Sequence, residues 1–180
     1  MKKMCFITAL ALLCAGAAFG QSGKKNALSV DTAPLLRSLV ASSVDSNAEF
    51  LGAGLFYELL LGSSFSLGGR VDFISGEYLN GKVSYFAVSG HGRAYPLSQG
   101  LAKFYLDTGI GFNTIDMGSN NDKGGLTFAL AMGYKHFFNG TIFMEPSIAL
   151  VYAENFFGSN SVRDPSPLEW TPGLLIGLSF

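Results

Sequence analysis

Apolar and polar residues alternate along most of the chain. The last stretch shows the pattern most clearly: Trp170, Leu174, Ile176, Leu178 and Phe180 share one parity, and small or polar residues dominate the other. A period of two residues places successive side chains on opposite faces of a β-strand. The stretch therefore predicts a strand with one apolar face that ends on an aromatic residue.

The same alternation recurs in seven earlier segments, separated by turns rich in Gly, Ser, Asn, Asp and Pro. Asn139-Gly140 is the strongest short hairpin signal among these turns. The pattern predicts an all-β fold, an eight-stranded antiparallel up-and-down transmembrane barrel. The predicted strands cover about residues 27–41, 49–61, 64–74, 83–95, 101–115, 126–137, 141–153 and 170–180.

The predicted connections alternate in length. The second, fourth and sixth are short, whereas the first, the third (75–81), the fifth (117–125) and the seventh (154–167) are longer and more polar on average. Short periplasmic turns and longer outer loops give outer-membrane barrels this asymmetry. Pro34, Pro146 and Pro172 lie inside predicted strands, and proline lacks a ladder donor, so we expect a bulge or a strand boundary at Pro146 and at Pro172.

The first twenty residues have the parts of a cleaved secretory signal peptide: Lys2 and Lys3, an apolar run, and small residues near Gly20. We expect a signal peptide over 1–20, a polar leader over 21–26 and the barrel domain over 27–180. Both cysteines, Cys5 and Cys14, fall within the signal, so the mature chain has no disulfide. A lipoprotein signal is the less favoured alternative, because leucines and not a small residue precede Cys14.

Composition narrows the class further. The chain has 16 Phe and 7 Tyr but only 14% charged residues, and after the signal it has no apolar run long enough for a transmembrane helix. Without Lys2 and Lys3, 10 basic residues face 13 acidic ones, and no basic stripe exists. We therefore do not expect the protein to bind nucleic acid.

Charged residues follow the parity of the strands. Those on the apolar parity, together with His136, lie at strand ends, where a charge facing lipid costs far less than the roughly 2–4 kcal/mol expected at the bilayer midplane. The others should face a narrow lumen and pair there, with Arg70 or Arg93 bound to nearby carboxylates. The predicted lumen charge network is Asp31, Arg37, Glu58, Arg70, Asp72, Arg93, Lys103, Asp107, Lys135, Glu145 and Glu169.

Aromatic residues near both ends of the predicted strands suggest two membrane-interface girdles. The alternative is that they form the core of a soluble barrel. The predicted interface aromatics are Tyr152 and Trp170 at the outer rim, and Phe65, Phe104, Tyr134 and Phe180 at the periplasmic rim.

Ser89, His91 and Asp107 suggest a hydrolase triad, but no nucleophile-elbow sequence surrounds the serine, so we favour a lumen-filling role. An enzyme acting on lipid A would need its serine and histidine on the lipid-facing side, and here both lie on the lumen parity. The acidic residues around 116–122 lack the ligand spacing of a calcium loop, and Gly109-Ile-Gly111 is followed by no helix. We expect no metal, no cofactor and no catalytic role.

The chain resembles the small eight-stranded outer-membrane barrels, the group that contains the OmpA transmembrane domain, OmpX and OmpW. The resemblance covers about residues 27–180 and rests on the terminal Leu-Ser-Phe, the hairpin at 133–140 with the Phe-Met-Glu-Pro that begins at Phe143, and the repeated Gly-x-Gly strands. It implies a location in the cell outer membrane and insertion by the barrel-assembly machinery through the strand that ends at Phe180. OmpW-like proteins are thought to pass small hydrophobic molecules, but no motif here carries that activity over.

Our first hypothesis is a monomeric barrel with a mostly filled polar lumen and an envelope-structural or surface-interaction role, with outer-membrane lipid as its surroundings. A narrow pore or an OmpW-like conduit for small molecules is the alternative, and a lipid A-modifying barrel enzyme ranks below it. A soluble ligand-binding barrel, with the apolar parity inside, is the remaining class. The sequence identifies no ligand and no surface partner.

Overall fold

The structure, a computed structural model, describes residues 25–32, 49–78, 81–96, 103–116, 123–153 and 168–180. Eight antiparallel strands form one closed barrel in which each strand pairs with its neighbours in sequence and the last pairs with the first. The predicted fold class is confirmed. The strands are β1 Asn26–Asp31, β2 Glu49–Leu60, β3 Phe65–Tyr78, β4 Gly81–Ala94, β5 Lys103–Asp116, β6 Lys123–Phe137, β7 Ile142–Ala153 and β8 Leu168–Ser179.

The barrel closes where β1 meets β8, with Ala27 opposite Ser179 and Asp31 opposite Leu175. The backbone N–H of Asn26 donates to the carbonyl of Phe180 at 3.0 Å, and that of Phe180 donates back to Asn26 at 2.9 Å. We call this end of the barrel, which also holds the hairpins at 61–64 and 138–141, the lower end. The opposite end is the upper end.

The outer surface of the barrel is apolar. Large side chains stand exposed along every strand from β2 to β8, with Leu130 at 62% and Trp170 at 64% exposure. The inner parity carries nearly all of the buried polar and charged side chains, including Glu58 and Lys135. The two-residue period thus separates an apolar outside from a polar inside. No helix long and apolar enough to cross a membrane occurs in the described ranges.

The hairpin at 138–141 follows the Asn-Gly signal. The side-chain oxygen of Asn139 accepts hydrogen bonds from the backbone N–H groups of Thr141 at 3.0 Å and Ile142 at 2.8 Å. Gly140 has a φ of 73°, a left-handed conformation that glycine adopts without a steric penalty. This turn was correctly predicted from the sequence.

The predicted third connection, 75–81, is wrong. Strand β3 continues to Tyr78 and β4 begins at Gly81, and Glu77 stands opposite Lys82. These residues look like a loop because they are polar, but they lie at the upper end of the barrel, where a strand does not need an apolar face. Strand β6 likewise starts at Lys123, three positions earlier than predicted, because Gly124 and Gly125 continue the ladder with β5.

The prediction of a bulge or a strand boundary at Pro146 and at Pro172 is wrong, because both prolines lie inside continuous strands. Strands β7 and β8 pair without a break through both prolines. On the other side of β7, pairing with β6 is interrupted between Gly133–Ser147 and His136–Met144 and resumes in the same register. Pro146 therefore removes a donor from one ladder without inserting a residue.

Some predictions lie outside the described residues. These are the signal peptide over 1–20, most of the polar leader, the part of the first predicted strand beyond residue 32, and with it Arg37 and Pro34. The last position of the predicted leader, Asn26, is the first residue of β1.

Candidate functional site

The lower half of the barrel interior holds four fully buried charged side chains, which we call the basal network: Glu58, Arg93, Lys135 and Glu145. They come from β2, β4, β6 and β7, so the network joins strands on all sides of the barrel. Two carboxylates face two cations. A buried charge is costly unless an opposite charge lies beside it, and here each has an oppositely charged partner.

Glu58 is the most connected acceptor of the basal network. Its carboxylate accepts hydrogen bonds from the hydroxyls of Ser66 and Tyr95 and from the ammonium group of Lys135, and a fourth from Arg93 at 3.3 Å. Both carboxylate oxygens are therefore satisfied by protein donors. Removing this one group would leave two cations and two hydroxyls short of an acceptor.

Arg93 lies between two aromatic rings. The centre of its guanidinium group is 4.1 Å from the ring centroid of Phe56 and 4.4 Å from that of Tyr105. Its Nε donates to Asp107 at 2.6 Å, and its Nη1 lies 2.9 Å from Glu145. A planar guanidinium can stack its face on rings and bind several carboxylates at its edge at the same time.

Lys135 completes the basal network. Its Nζ lies 3.3 Å from Glu145 and 4.6 Å from the ring centroid of Phe143. The carboxylate of Glu145 meets both cations through ionic contacts rather than aligned hydrogen bonds. The network is thus neutral as a whole but unevenly hydrogen-bonded, with Glu58 better satisfied than Glu145.

A cluster of buried apolar and aromatic side chains lies below the basal network. It consists of Ala27, Tyr95, Tyr105 and Phe143, with Leu60 and Phe137 packed against them. The rings of Tyr95 and Tyr105 lie 6.0 Å apart. Gly133 makes room for Tyr105, since a Cβ atom at that glycine would lie 2.5 Å from the phenol ring carbon that carries the hydroxyl. The cluster fills the lower end of the lumen.

A second ionic group, which we call the upper network, lies above the basal one. It consists of Arg70 with Asp31 on β1 and Asp72 on its own strand, the latter at 2.7 Å. The Arg70 side chain is 27% exposed, whereas Arg93 is 5% exposed. The upper network therefore faces open space inside the barrel.

Between the two networks, Ser89, His91 and Asp107 form a hydrogen-bonded chain. Ser89 Oγ lies 2.8 Å from His91 Nε2, and His91 Nδ1 lies 2.8 Å from Asp107 Oδ1. The other oxygen of Asp107 binds Arg93, which connects the chain to the basal network. The structure thus joins three residues that the sequence suggested as a triad and that we interpreted as lumen-filling.

A cavity of about 200 Å³ occupies the interior above the basal network. One wall carries the upper network, Tyr85 and the Ser89–His91–Asp107 chain. The opposite wall, from β6 to β8, carries mostly small residues, for example Ala129, Ala149 and Gly173. The cavity therefore presents a polar wall and a nearly apolar one.

Eight of the eleven predicted lumen charges are described with their side chains, and each makes an ion pair with another of the eight. Lys103 and Glu169 lie in β5 and β8, in register with Lys135 and Val151. Arg37 lies outside the described residues. The eight are Asp31, Glu58, Arg70, Asp72, Arg93, Asp107, Lys135 and Glu145.

The predicted site residues did not include the neutral partners of these charges, although their parity placed them on the lumen face: Ser66, Tyr95, Tyr105, Phe56 and Phe143. Their parity was the available signal, because each shares a face with charged residues of its own strand. Aromatic rings on a polar face indicate that the interior is packed by rings as well as by ions.

The predicted interface aromatics occupy both ends. Tyr152 and Trp170 stand exposed toward the upper end, and Phe65 and Tyr134 toward the lower end. The remaining two, Phe104 and Phe180, lie half-buried at the lower end. The ring of Tyr134 also stacks against His136, with centroids 6.5 Å apart.

Within the described ranges, no three His, Cys, Asp or Glu side chains come together in a way that could hold an ion.

No protein-family model and no curated protein matches the chain. Among solved structures it is similar to the N-terminal β-barrel domain of OprF from Pseudomonas aeruginosa, with a TM-score of 0.51 and 12% identity over 88% of this chain and 100% of that one. The fold is that of a small outer-membrane barrel. The outer membrane protein OprG from the same organism also matches, with a TM-score of 0.46 and 13% identity over 89% of this chain and 98% of that one.

Proposed function

We propose that the protein is a monomeric integral outer-membrane barrel with a non-conducting lumen and an envelope-structural or surface-interaction role. One observation carries the proposal: among the described side chains, charged ones on the outward parity occur only at strand ends. Glu77, Lys82 and Asp116 lie at the upper ends of β3, β4 and β5. The band between the ends is apolar, which suits a hydrocarbon surrounding and would be costly in water.

Membrane fractionation tests the location. We expect the mature protein in the outer-membrane fraction. On electrophoresis the unheated sample should migrate as a folded barrel, and the slower band of the unfolded chain should appear only after heating. Recovery in the soluble periplasm would reject the proposal, because a soluble barrel cannot keep this apolar band exposed to water.

The non-conducting lumen is supported by the basal network and the aromatic cluster beneath it. Glu58, Lys135 and Tyr105 are each at most 1% exposed, and they come from different strands. Purified protein in planar bilayers should therefore give no steady conductance. Discrete channel events in the wild-type protein would instead favour the conduit alternative, to which the cavity above the network lends some support.

A passage would have to cross this network, so a matched variant sharpens the test. Tyr105→Ala should allow conductance if the cluster is what closes the lower end. Tyr152→Ala, an exposed outward ring, serves as the control and should stay silent. Equal conductance of both variants would show that closure does not depend on the cluster.

The proposal includes assembly through the C-terminal strand by the barrel-assembly machinery. The paired Asn26 and Phe180 backbones support it, since they place the last residue at the seam. Replacing Phe180 by Ala should lower the fraction of folded protein in the outer membrane of growing cells. Turnover of membrane lipid is not part of this role, because Ser89 and His91 lie on the inward face.

A further inference from the structure

The Ser89–His91–Asp107 chain has the connectivity of a nucleophile, a base and an orienting carboxylate. Asp107 only accepts hydrogen bonds when ionised, so the proton at 2.8 Å must lie on His91 Nδ1. In the neutral imidazole, Nε2 is then an acceptor, and the Ser89 hydroxyl 2.8 Å away donates to it. A serine that donates to a carboxylate-oriented imidazole is an activated nucleophile.

The imidazole is held on several sides. Arg93 Nε binds the second oxygen of Asp107 at 2.6 Å, which fixes the carboxylate. The ring of Phe56 meets that of His91 edge to face, with centroids 5.4 Å apart. Gly109 stands opposite His91 in the ladder, and a Cβ atom there would lie 2.7 Å from the imidazole Cε1. Of all residue types at position 109, only glycine leaves space for the His91 ring in this position.

The nucleophile faces usable space. Ser89 is half-buried and lines the cavity of about 200 Å³. Arg70 stands opposite Ser89 in the β3–β4 register and lines the same cavity, with 27% of its side chain exposed. Backbone N–H groups of β-strands are engaged in their ladders. Arg70 uses Nε and Nη2 to bind Asp72 and Asp31, so its other terminal nitrogen, Nη1, is the donor assigned to an oxyanion.

We propose that Ser89 is the nucleophile of an acyl-transfer site inside the barrel, with His91 as general base, Asp107 as its positioning residue and Arg70 as the oxyanion stabiliser. The substrate class is short-chain carboxylic esters that enter from the upper end. The inference goes beyond the envelope role proposed above and revises the expectation of a wholly non-catalytic barrel. It does not concern membrane lipid, since the site faces inward.

The chemistry balances with water as the only co-reactant. Ser89 Oγ bonds to the ester carbonyl carbon while its proton moves to His91 Nε2. The carbon–oxygen bond to the alcohol then breaks, and the alcohol leaves with that proton. Water attacks the acyl carbon, gives a proton to Nε2, and releases the carboxylic acid as the proton returns to Ser89.

Cavity size and lining set the specificity. At about 200 Å³ the space is smaller than the roughly 300–1,000 Å³ of typical ligand pockets. Ala129, Ala149 and Val151 on the opposite wall offer an apolar surface to a short acyl group. Acetyl and butyryl esters should therefore react, and esters of long fatty acids should not.

A fluorophosphonate probe tests the nucleophile directly, because its phosphorus bonds to an activated serine oxygen and fluoride leaves. The purified, folded protein in detergent micelles is incubated with the probe, and the modified residue is located by mass spectrometry. Ser89→Ala should abolish the adduct. Ser84→Ala removes a serine from the same strand on its opposite, outward face, and labelling should be unchanged.

His91→Ala and Asp107→Asn probe the activation. Labelling of Ser89 should disappear in His91→Ala. In Asp107→Asn it should fall at least about tenfold, because an amide no longer fixes the imidazole tautomer. Folding of each variant is checked by heat-dependent mobility. Release of nitrophenol from p-nitrophenyl acetate should follow the same order. A folded wild-type protein without an adduct, or an adduct on another serine such as Ser147, would overturn the proposal.

Discussion

The lower and upper halves of the barrel interior differ in the size of their inward residues more than in their charge. Along β6 from the lower to the upper end, the inward residues are Phe137, Lys135, Gly133, Ala131, Ala129 and Thr127. Strand β7 runs from Phe143 and Glu145 to Ser147, Ala149, Val151 and Ala153. Both halves contain ion pairs, but along the described parts of β6 and β7 the large inward side chains lie in the lower half and small ones border the space in the upper half.

The comparison shows that ion pairs alone do not close a narrow barrel. Arg93 and Arg70 both bind two or more carboxylates and both line the cavity, yet Arg93 lies between two rings and is 5% exposed, whereas Arg70 is 27% exposed. Water therefore reaches Arg70 more readily than Arg93. Loss of a partner should therefore be costly in the lower half and mild in the upper half.

The largest effect should come from Glu58→Ala. It leaves Lys135 and Arg93 buried with Glu145 as the shared carboxylate of the basal network, and we expect a loss of about 3–5 kcal/mol of unfolding free energy. Urea unfolding in lipid vesicles, followed by the fluorescence of the single tryptophan, measures it. Glu77→Ala, at the exposed end of β3, is the control and should change little. Equal losses would mean that the basal network is no more tightly packed than the rim.

Overpacking the lower half should cost less. Gly133→Ala forces a Cβ atom against Tyr105, and we expect a loss of about 1–3 kcal/mol. Gly69→Ala is the matched control on the outer face, where no atom lies within 4 Å of the new Cβ. The difference between the two variants in the same urea assay gives the packing penalty. A penalty near zero would show that Tyr105 can move aside freely.

Weakening the upper network should have a smaller effect still. Asp31→Asn removes one charge opposite Arg70, which keeps Asp72 at 2.7 Å and borders the cavity. We expect a loss of about 0.5–1.5 kcal/mol, the scale of one hydrogen bond. The midpoint of urea unfolding, compared directly with that of Glu58→Ala, checks the ranking. A loss as large as that of Glu58→Ala would contradict the contrast between the halves.

The smallest effect should come from filling the cavity. Ala149→Leu adds volume where space exists, so the unfolding free energy should change by less than about 1 kcal/mol. Ala27→Leu makes the same change in the packed lower cluster, where Ala27 is 2% exposed, and should cost about 1–3 kcal/mol. Thermal unfolding of the two variants gives the comparison. Ala149→Leu should also slow labelling of Ser89 by a bulky probe.

Strand parity could be predicted from the sequence because one face of each strand is apolar. This prediction fails near the upper end of β3, at Ser75, Gly76 and Glu77. Both faces of the strand meet polar surroundings there, so the alternation disappears although the ladder continues. The sequence also does not predict the pairing at Pro146. Proline lacks a hydrogen-bond donor for one ladder, but this does not reveal whether the register of the strand shifts.

Contacts across the interior lie beyond such a prediction. Glu58 and Lys135 are 77 positions apart in sequence, and their hydrogen bond depends on how the strands are staggered around the barrel. The 2.8 Å separations at His91 depend on the same stagger and on the space left at Gly109. Sequence parity identifies which residues face the lumen, but not which of them meet.

The seam between β1 and β8 has a consequence for the order of folding. All other neighbouring strands are joined by a single connection. Val30 and Ile176 instead lie in adjacent strands that nearly the whole sequence of the barrel separates. Pairings of such high contact order carry the largest loop-closure entropy, so hairpins should form before the seam does. Until then β1 and β8 both have an open hydrogen-bonding edge, which is the state in which an assembly factor could still hold the chain.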